Sequence, residues 1–178
     1  MKFVQPIRDK EKIELMKQSF NNERDRFLFI MGINTALRVS DLLQLKVKDV
    51  KGTHLKVIES KTGKLKRQII SMTLREEINE YTKGMNEEDV LFPSRKGNNK
   101  PLSRVQAYRI LNRVSEQVGL EEIGTHTLRK TFSYWYYKQT KDVVTVQQLL
   151  NHSSPAVTLR YIGVNQDEMD ERLKDFSL

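Results

Sequence analysis

The residues with the greatest chemical capacity in this 178-residue chain lie between positions 126 and 161. They read His126-Thr127-Leu128-Arg129, then Leu149-Leu150-Asn151-His152-Ser153-Ser154, then Thr158-Leu159-Arg160-Tyr161. Arginine grips a phosphate, histidine moves protons near neutral pH, and tyrosine is a side chain able to attack phosphorus. His126 and Arg129 stand at i and i+3, so a helix would put them on one face. Singly, each has a dull explanation: a lone histidine is usually a satisfied core or surface residue, and a tyrosine near Trp135 is usually packing. As a group they describe half of a site for phosphodiester chemistry, and earlier parts of the chain must supply the rest.

Two upstream residues qualify. Arg38 sits in Thr35-Ala36-Leu37-Arg38-Val39-Ser40-Asp41, at the junction of two apolar helical patterns. A charge there is normally paired or holding an anion. A structural salt bridge to Asp41, one turn on, is the simpler reading of that segment alone. Lys61 sits in Lys61-Thr62-Gly63-Lys64, a turn signal between strand-like residues 54–59 and 65–71. Gly63 is free to take positive φ there. The hairpin is basic (Lys61, Lys64, Lys66, Arg67), although solvated turns are often lysine-rich. It lacks the glycine spacing of a nucleotide-phosphate loop.

The remaining pattern is helical. Asp9 is the expected N-cap of a helix to about Phe20, with Ile13, Leu15, Met16 and Phe20 apolar. Residues 23–36 predict a buried helix (Phe27, Leu28, Ile30, Met31, Ile33). Ser40 is the expected cap of the next helix, and Thr73 with Glu76 the expected capping box of another. Residues 94–101 form a basic loop. Ser103 with Gln106 opens a long helix to Val118, with Val105, Tyr108, Ile110, Leu111 and Val114 inward and Arg104, Arg109 and Arg113 outward. Thr125 is the expected cap of a helix beginning at His126, whose core side is Phe132, Trp135 and Tyr136, with Tyr134 and Tyr137 not assigned to a side. Residues 143–150 form a short helix. Ser154 and Pro155 open another, with Tyr161 at or just past its end. Residues 165–176 predict an acidic amphipathic tail helix with Met169, Leu173 and Phe176 on one side.

Composition narrows the class. Apolar residues make up 38% and charged residues 30%, as in a globular domain with its own core. No apolar run approaches the roughly 18 residues of a membrane span, and residues 1–6 lack a signal-peptide pattern. With no cysteine there is no disulfide framework and no thiolate metal site. A cytoplasmic protein is the expectation. The net charge of +8, from 31 basic against 23 acidic residues, favours a polyanionic partner.

The order and local context of Arg38, Lys61, His126, Arg129, His152 and Tyr161 resemble the catalytic domain of the tyrosine recombinase (phage integrase) family, over nearly the whole chain. Thr35 to Asp41 resembles its first arginine motif, Lys61 its hairpin lysine, and His126-x-x-Arg129 its His-x-x-Arg box. Residues 149–154 resemble its second histidine box, and Thr158 to Tyr161 its nucleophile segment. The departures are Ala36 for a usual glycine, Asp41 for a common glutamate and Asn151 for a common glycine. The resemblance implies a mainly α fold with a small antiparallel β-hairpin (α+β), occupying 1–178 as one catalytic domain. Family members usually carry an N-terminal core-binding domain that closes around DNA. The chain begins directly before the catalytic region, so weak, salt-sensitive DNA binding is the expectation.

The implied reaction is site-specific cleavage and rejoining of double-stranded DNA through a 3′-phosphotyrosine, without metal, ATP or other cofactor. Arg38 and Arg129 would fork onto the non-bridging oxygens and stay charged at any working pH. Tyr161, with an ordinary pKa of about 10, would attack with help from His126. Lys61 would protonate the leaving 5′-oxygen, His152 would hydrogen-bond the phosphate, and Asp41 would orient Arg38 or a histidine. Lys64, Lys66, Arg67, Arg95, Lys96 and Arg104 are the candidate DNA contacts. The acidic tail is expected to join protomers in a tetramer on DNA, against the simpler alternative that it folds back on its own domain. A type IB topoisomerase uses similar residues, but the hairpin layout and the Leu-Asn-His-Ser-Ser box favour a recombinase. A DNA-binding regulator without catalysis would not require the intact set.

Overall fold

Gly32 sets the geometry of the molecule's centre. It lies in the buried helix α2 (Glu23–Asn34), and a Cβ at this position would come 3.1 Å from Leu128 Cβ. Without that Cβ, α7 (Thr127–Thr140) packs closely across α2. The crossing places the start of α7, with His126 and Arg129, beside the C-terminal end of α2, where Arg38 follows. The computed structural model describes residues 4–120, 123–124 and 126–178, with the side chains of 165–167, 169 and 172 excepted.

Before α2 comes α1 (Lys10–Ser19), capped by Asp9, whose side chain accepts from the Glu11 and Lys12 amides. Asn22 caps α2 in the same way, accepting from Asp25 N. After α2 come two single turns, α3 (Val39–Leu42) and α4 (Val47–Val50). Strands β1 (His54–Ile58) and β2 (Leu65–Ile69) form an antiparallel two-stranded sheet with Lys56 opposite Arg67 and Ile58 opposite Leu65. Helix α5 (Met72–Tyr81) follows, then α6 (Arg104–Gln117) with the Ser103–Gln106 capping box that the sequence predicts. Helices α8 (Val143–Leu150), α9 (Pro155–Ile162) and α10 (Val164–Lys174) complete the chain. This is the mainly α fold with a β-hairpin expected above.

Three buried apolar clusters share the interior. One gathers α2, α3, α4, α5 and β1 around Phe27, Leu42, Leu55 and Phe92. A second lies between α1, α2, α6 and α7 around Met16, Phe29, Leu111 and Leu128. The third joins α7, α8 and α9 around Tyr134, Tyr137, Val146, Leu150 and Ile162, and includes Ala36. The site lies where the first and third clusters meet.

Several expectations change. Ser40 does not cap α3: Arg38 occupies the N-cap and makes no side-chain cap bond. The cap of α5 is Ser71, accepting from Leu74 N, two residues ahead of Thr73. Thr125 lies outside the described residues, and α7 starts at Thr127 with His126 in the N-cap position. Tyr134 and Tyr137 are the buried aromatics of α7, while Phe132, Trp135 and Tyr136 are half-buried. Val105, expected inward, is exposed, as is Leu15 among the apolar positions of α1. These are periodicity errors on helices whose apolar stripes wrap past one face, where pattern alone cannot select the deepest residues.

Candidate active site

The C-terminal end of α8 is where the site converges. The last carbonyls of a helix have no intrahelical donor, and two cationic side chains from elsewhere serve them here. Arg129 Nη2 donates to Leu150 O at 3.1 Å, and Lys66 Nζ donates to Leu149 O at 2.6 Å. Lys66 Nζ also donates to Ala36 O at 2.8 Å. Lys66 is 8% exposed, so the expectation that it faces DNA is corrected: β2 alternation turns it into the protein. Burial first, and Arg129 beside it, lower its pKa to about 8. It joins the segment leading to Arg38 with the helix leading to His152.

Asn151 follows in the left-handed conformation, φ 56°, which asparagine tolerates better than most residues. The next residue, His152, is fixed by its own backbone, its amide donating to Gln147 O and its carbonyl accepting from Gln147 Nε2. Its ring Nδ1 is 3.1 Å from Thr158 Oγ1, in α9. Ser154 caps that helix and Pro155 takes its first turn, as predicted. Tyr161 lies within α9, one residue before its end, and its ring stands edge-on to His152 at 5.0 Å between centroids. Its hydroxyl is 3.4 Å from His126 Nδ1. That is the long edge of a hydrogen bond, and such catalytic contacts tighten when substrate binds. The tyrosine therefore faces both histidines without DNA.

Arg129 is 5% exposed, and its Nε is buried without a hydrogen-bond partner among the described residues. An unmet buried donor is costly, so the protein alone does not satisfy this guanidinium. Arg38 Nη1 bonds Glu59 Oε1 at 3.0 Å and lies 3.9 Å from Asp41 Oδ2. The salt bridge expected with Asp41 is thus secondary. Asp41 instead accepts from Ser60 N at 2.9 Å and from Ser60 Oγ, holding the hairpin turn. Lys61 is exposed on that turn.

The electrostatics join these residues. Burial, then Arg129, Lys130, Arg38 and Lys61, hold His126 below its ordinary value, although the residue is exposed on one side. Burial, Arg129 and Arg38 do the same to His152. Both rings are therefore mainly neutral at pH 7. Burial raises Tyr161, against the pull of Arg129 and Arg38. The structure thus brings Arg38, His126, Arg129, His152 and Tyr161 together, with Lys61 at the rim.

Four participants escaped the sequence reading. Glu59 is fully buried beneath Arg38. Lys130 places Nζ 4.7 Å from the Tyr161 ring centroid while donating to Val4 O. Thr158 and the side chain of Asn151 complete the group. Glu59 had one available signal, an acid directly before a basic turn. The other candidate DNA residues are exposed: Lys64 and Arg67 on the hairpin, Arg95 and Lys96 in the loop, and Arg104 on α6. Arg95, Lys96 and Arg109 line a cleft of about 310 Å³ with Arg24. Among the described residues no cluster of three or more metal-ligating side chains occurs.

This helical fold, with an arginine pair, two histidines and a tyrosine meeting at a hairpin, defines a class. The chain belongs to the phage integrase family, whose model matches residues 7–168. It is 54% identical over 179 residues to the probable integrase/recombinase YoeC of Bacillus subtilis (strain 168), covering 99% of this chain and 98% of that protein. It is 30% identical over 160 residues to the tyrosine recombinase XerA of Pyrococcus furiosus, covering 87% of this chain but 55% of that protein. The crystal structure of the XerH site-specific recombinase bound to palindromic difH substrate, a post-cleavage complex, superposes with a TM-score of 0.74 at 22% identity. It covers 98% of this chain and 54% of that one. The chain thus spans about half the length of these Xer proteins.

Proposed function

We propose that the protein is a site-specific DNA strand transferase in which Tyr161 is the nucleophile. Its oxygen attacks the scissile phosphorus. The bond to the 5′-oxygen breaks, leaving a 3′-phosphotyrosine and a free 5′-hydroxyl. The covalent intermediate retains the energy of the broken ester, so a second 5′-hydroxyl rejoins the strand by the reverse step without ATP or metal. The observation that carries the reading is the Tyr161 hydroxyl 3.4 Å from His126 Nδ1, with the His152 ring edge-on to Tyr161 at 5.0 Å and Arg38 and Arg129 beside them.

Arg38 and Arg129 stabilise charge on the non-bridging oxygens, where preorganised donors contribute most. His126, neutral by its surroundings, takes the tyrosine proton. His152, with Nδ1 3.1 Å from Thr158 Oγ1, presents Nε2 to the phosphate. Lys61, on its exposed turn, protonates the leaving oxygen. Asp41 steadies that turn through Ser60. DNA lies along Lys64, Arg67, Arg95, Lys96 and Arg104, with Arg109 added by the cleft. Lys66 is withdrawn from that set.

Relatives support a DNA substrate: XerH is seen on difH after cleavage. Tail-mediated assembly into a tetramer on DNA is supported by Leu173 and Phe176, which are 64% and 67% exposed. The start of α10 docks on its own α7, with the Tyr137 hydroxyl donating to Glu168 Oε1 at 3.0 Å. The cytoplasm is the proposed place of action; no helix among the described residues is long and apolar enough to cross a membrane.

The test is covalent capture. Nicked suicide duplexes from a random-sequence pool are incubated with the protein in EDTA without ATP. Adducts resistant to denaturation are expected, and their sequences give the cognate site. Failure to enrich any adduct over a Tyr161→Phe control contradicts the proposal.

A further inference from the structure

We infer that Glu59 is a positioning residue, whose buried carboxylate holds Arg38 and ties the turn carrying Lys61 to the loop carrying His152. The inference rests on the strand-transfer reading of the site and adds a residue to it.

The Glu59 side chain is fully buried. A carboxylate in that setting is tolerated only when paired and hydrogen-bonded, and Glu59 takes three donors. Oε1 accepts from Arg38 Nη1 at 3.0 Å. Oε2 accepts from Thr62 Oγ1 at 2.9 Å and from Asn151 Nδ2 at 2.8 Å. Each donor belongs to a different part of the site. Arg38 is a proposed phosphate ligand, Thr62 adjoins Lys61, and Asn151 adjoins His152. One carboxylate therefore sits at the junction of all three.

Charge gives a second reason. Arg38, Arg129 and Lys66 crowd the same interior, and the Coulomb influence of Glu59 reaches both Arg129 and Lys66. Bringing these cations together before DNA arrives requires a counter-charge. Asp41 does not fill this role alone, since its Oδ1 is committed to Ser60 and its Oδ2 is 3.9 Å from Arg38. Holding Arg38 by one Nη also removes rotamer freedom that would otherwise be lost on meeting the phosphate. The Asn151 arm depends on the side chain at a backbone position that glycine would also satisfy. Asn151→Gly therefore removes one bond and leaves the left-handed turn.

The experiment compares Glu59→Ala, Glu59→Gln and Asn151→Gly in the full chain, with thermal melts to verify folding. In DNA-free protein, the side-chain ¹⁵N signals of Arg38 report guanidinium rotation. Slow rotation is expected in the natural protein and in Asn151→Gly, and fast rotation in Glu59→Ala. At saturating cognate DNA, Glu59→Ala is expected to slow adduct formation by about tenfold to 100-fold, the usual range for a supporting residue, with DNA affinity within about twofold. Glu59→Gln, which keeps an acceptor for Arg38, recovers part of the rate. Asn151→Gly slows the natural protein but adds nothing to Glu59→Ala, because both remove one interaction. Glu59→Gln, whose uncharged acceptor holds Arg38 less firmly, is expected to give intermediate rotation, and it carries the comparison with Asn151→Gly if Glu59→Ala fails to fold. Unchanged Arg38 rotation in the folded Glu59 variants, or losses from Glu59 and Asn151 that multiply, overturns the inference. The rotation measurement needs no DNA, so it fails with the positioning role; absence of any adduct from the natural protein fails the strand-transfer reading instead.

Discussion

At the scale of residues, the site is organised by donors and acceptors that have few alternatives. His126 is kept neutral by partial burial and by four cations, one of which is Lys130. A ring depressed in this way stays available to accept the tyrosine proton through neutral pH. It loses that capacity as pH falls below the ordinary histidine value of 6.5 toward its lowered one. Cleavage is therefore expected to fall on the acid side of pH 6.5. Lys130→Met should move that acid limb to higher pH, because a cation that disfavours the imidazolium is gone. A pH–rate profile of adduct formation measures both, and a limb unmoved by Lys130→Met would remove His126 from the proton path. The six proposed site residues were legible because their identities and order can be read without a structure. Glu59 was not, because its importance lies in contacts to Arg38 and Asn151, which are 21 and 92 positions away. Lys66 was misread for a related reason: the side of a short hairpin that faces inward is set by α8 and residue 36, which its own sequence does not contain.

At the scale of elements, the decisive contact is the crossing of α2 and α7 at Gly32. A branched side chain there meets Leu128 at both Cβ and Cγ, 3.1 and 3.2 Å from the added Cβ. Gly32→Val is expected to destabilise the fold by about 1–3 kcal/mol through overpacking. It should also slow cleavage beyond what unfolding explains, since it moves Arg129 away from Arg38. Chemical denaturation and single-turnover cleavage on the same sample separate the two effects, and full activity in the folded fraction would show that the crossing does not set the arginine spacing. Helix existence was readable from apolar periodicity and from Asp9, Ser103 and Ser154, whose caps are local chemistry. The single turn at Val47–Val50 was not, and the helix expected from Ser40 is only the turn Val39–Leu42, since such short helices owe their stability to neighbours.

At the scale of the whole molecule, the tail divides into a docked start and a free end. Glu168 is held by the Tyr137 hydroxyl and lies 3.7 Å from Lys141, whereas Leu173 and Phe176 face outward. If those two residues join protomers, Leu173→Asp with Phe176→Asp should leave cleavage of an isolated half-site within about twofold while abolishing higher-order complexes on paired sites. Native gels or light scattering with DNA read this outcome, and intact assembly in the double variant would return the tail to its own domain. Folding stability should also decline as pH falls below 6.5. Both site histidines have folded values below the unfolded one, so the unfolded chain takes up protons first. The central claim concerns the identity of the nucleophile, and peptide mapping of the DNA–protein adduct by mass spectrometry tests it most directly. The predicted result is a nucleotide 3′-phosphate on Tyr161, formed in EDTA, with no adduct from Tyr161→Phe. An adduct on any other residue, or one that persists in Tyr161→Phe, contradicts the account.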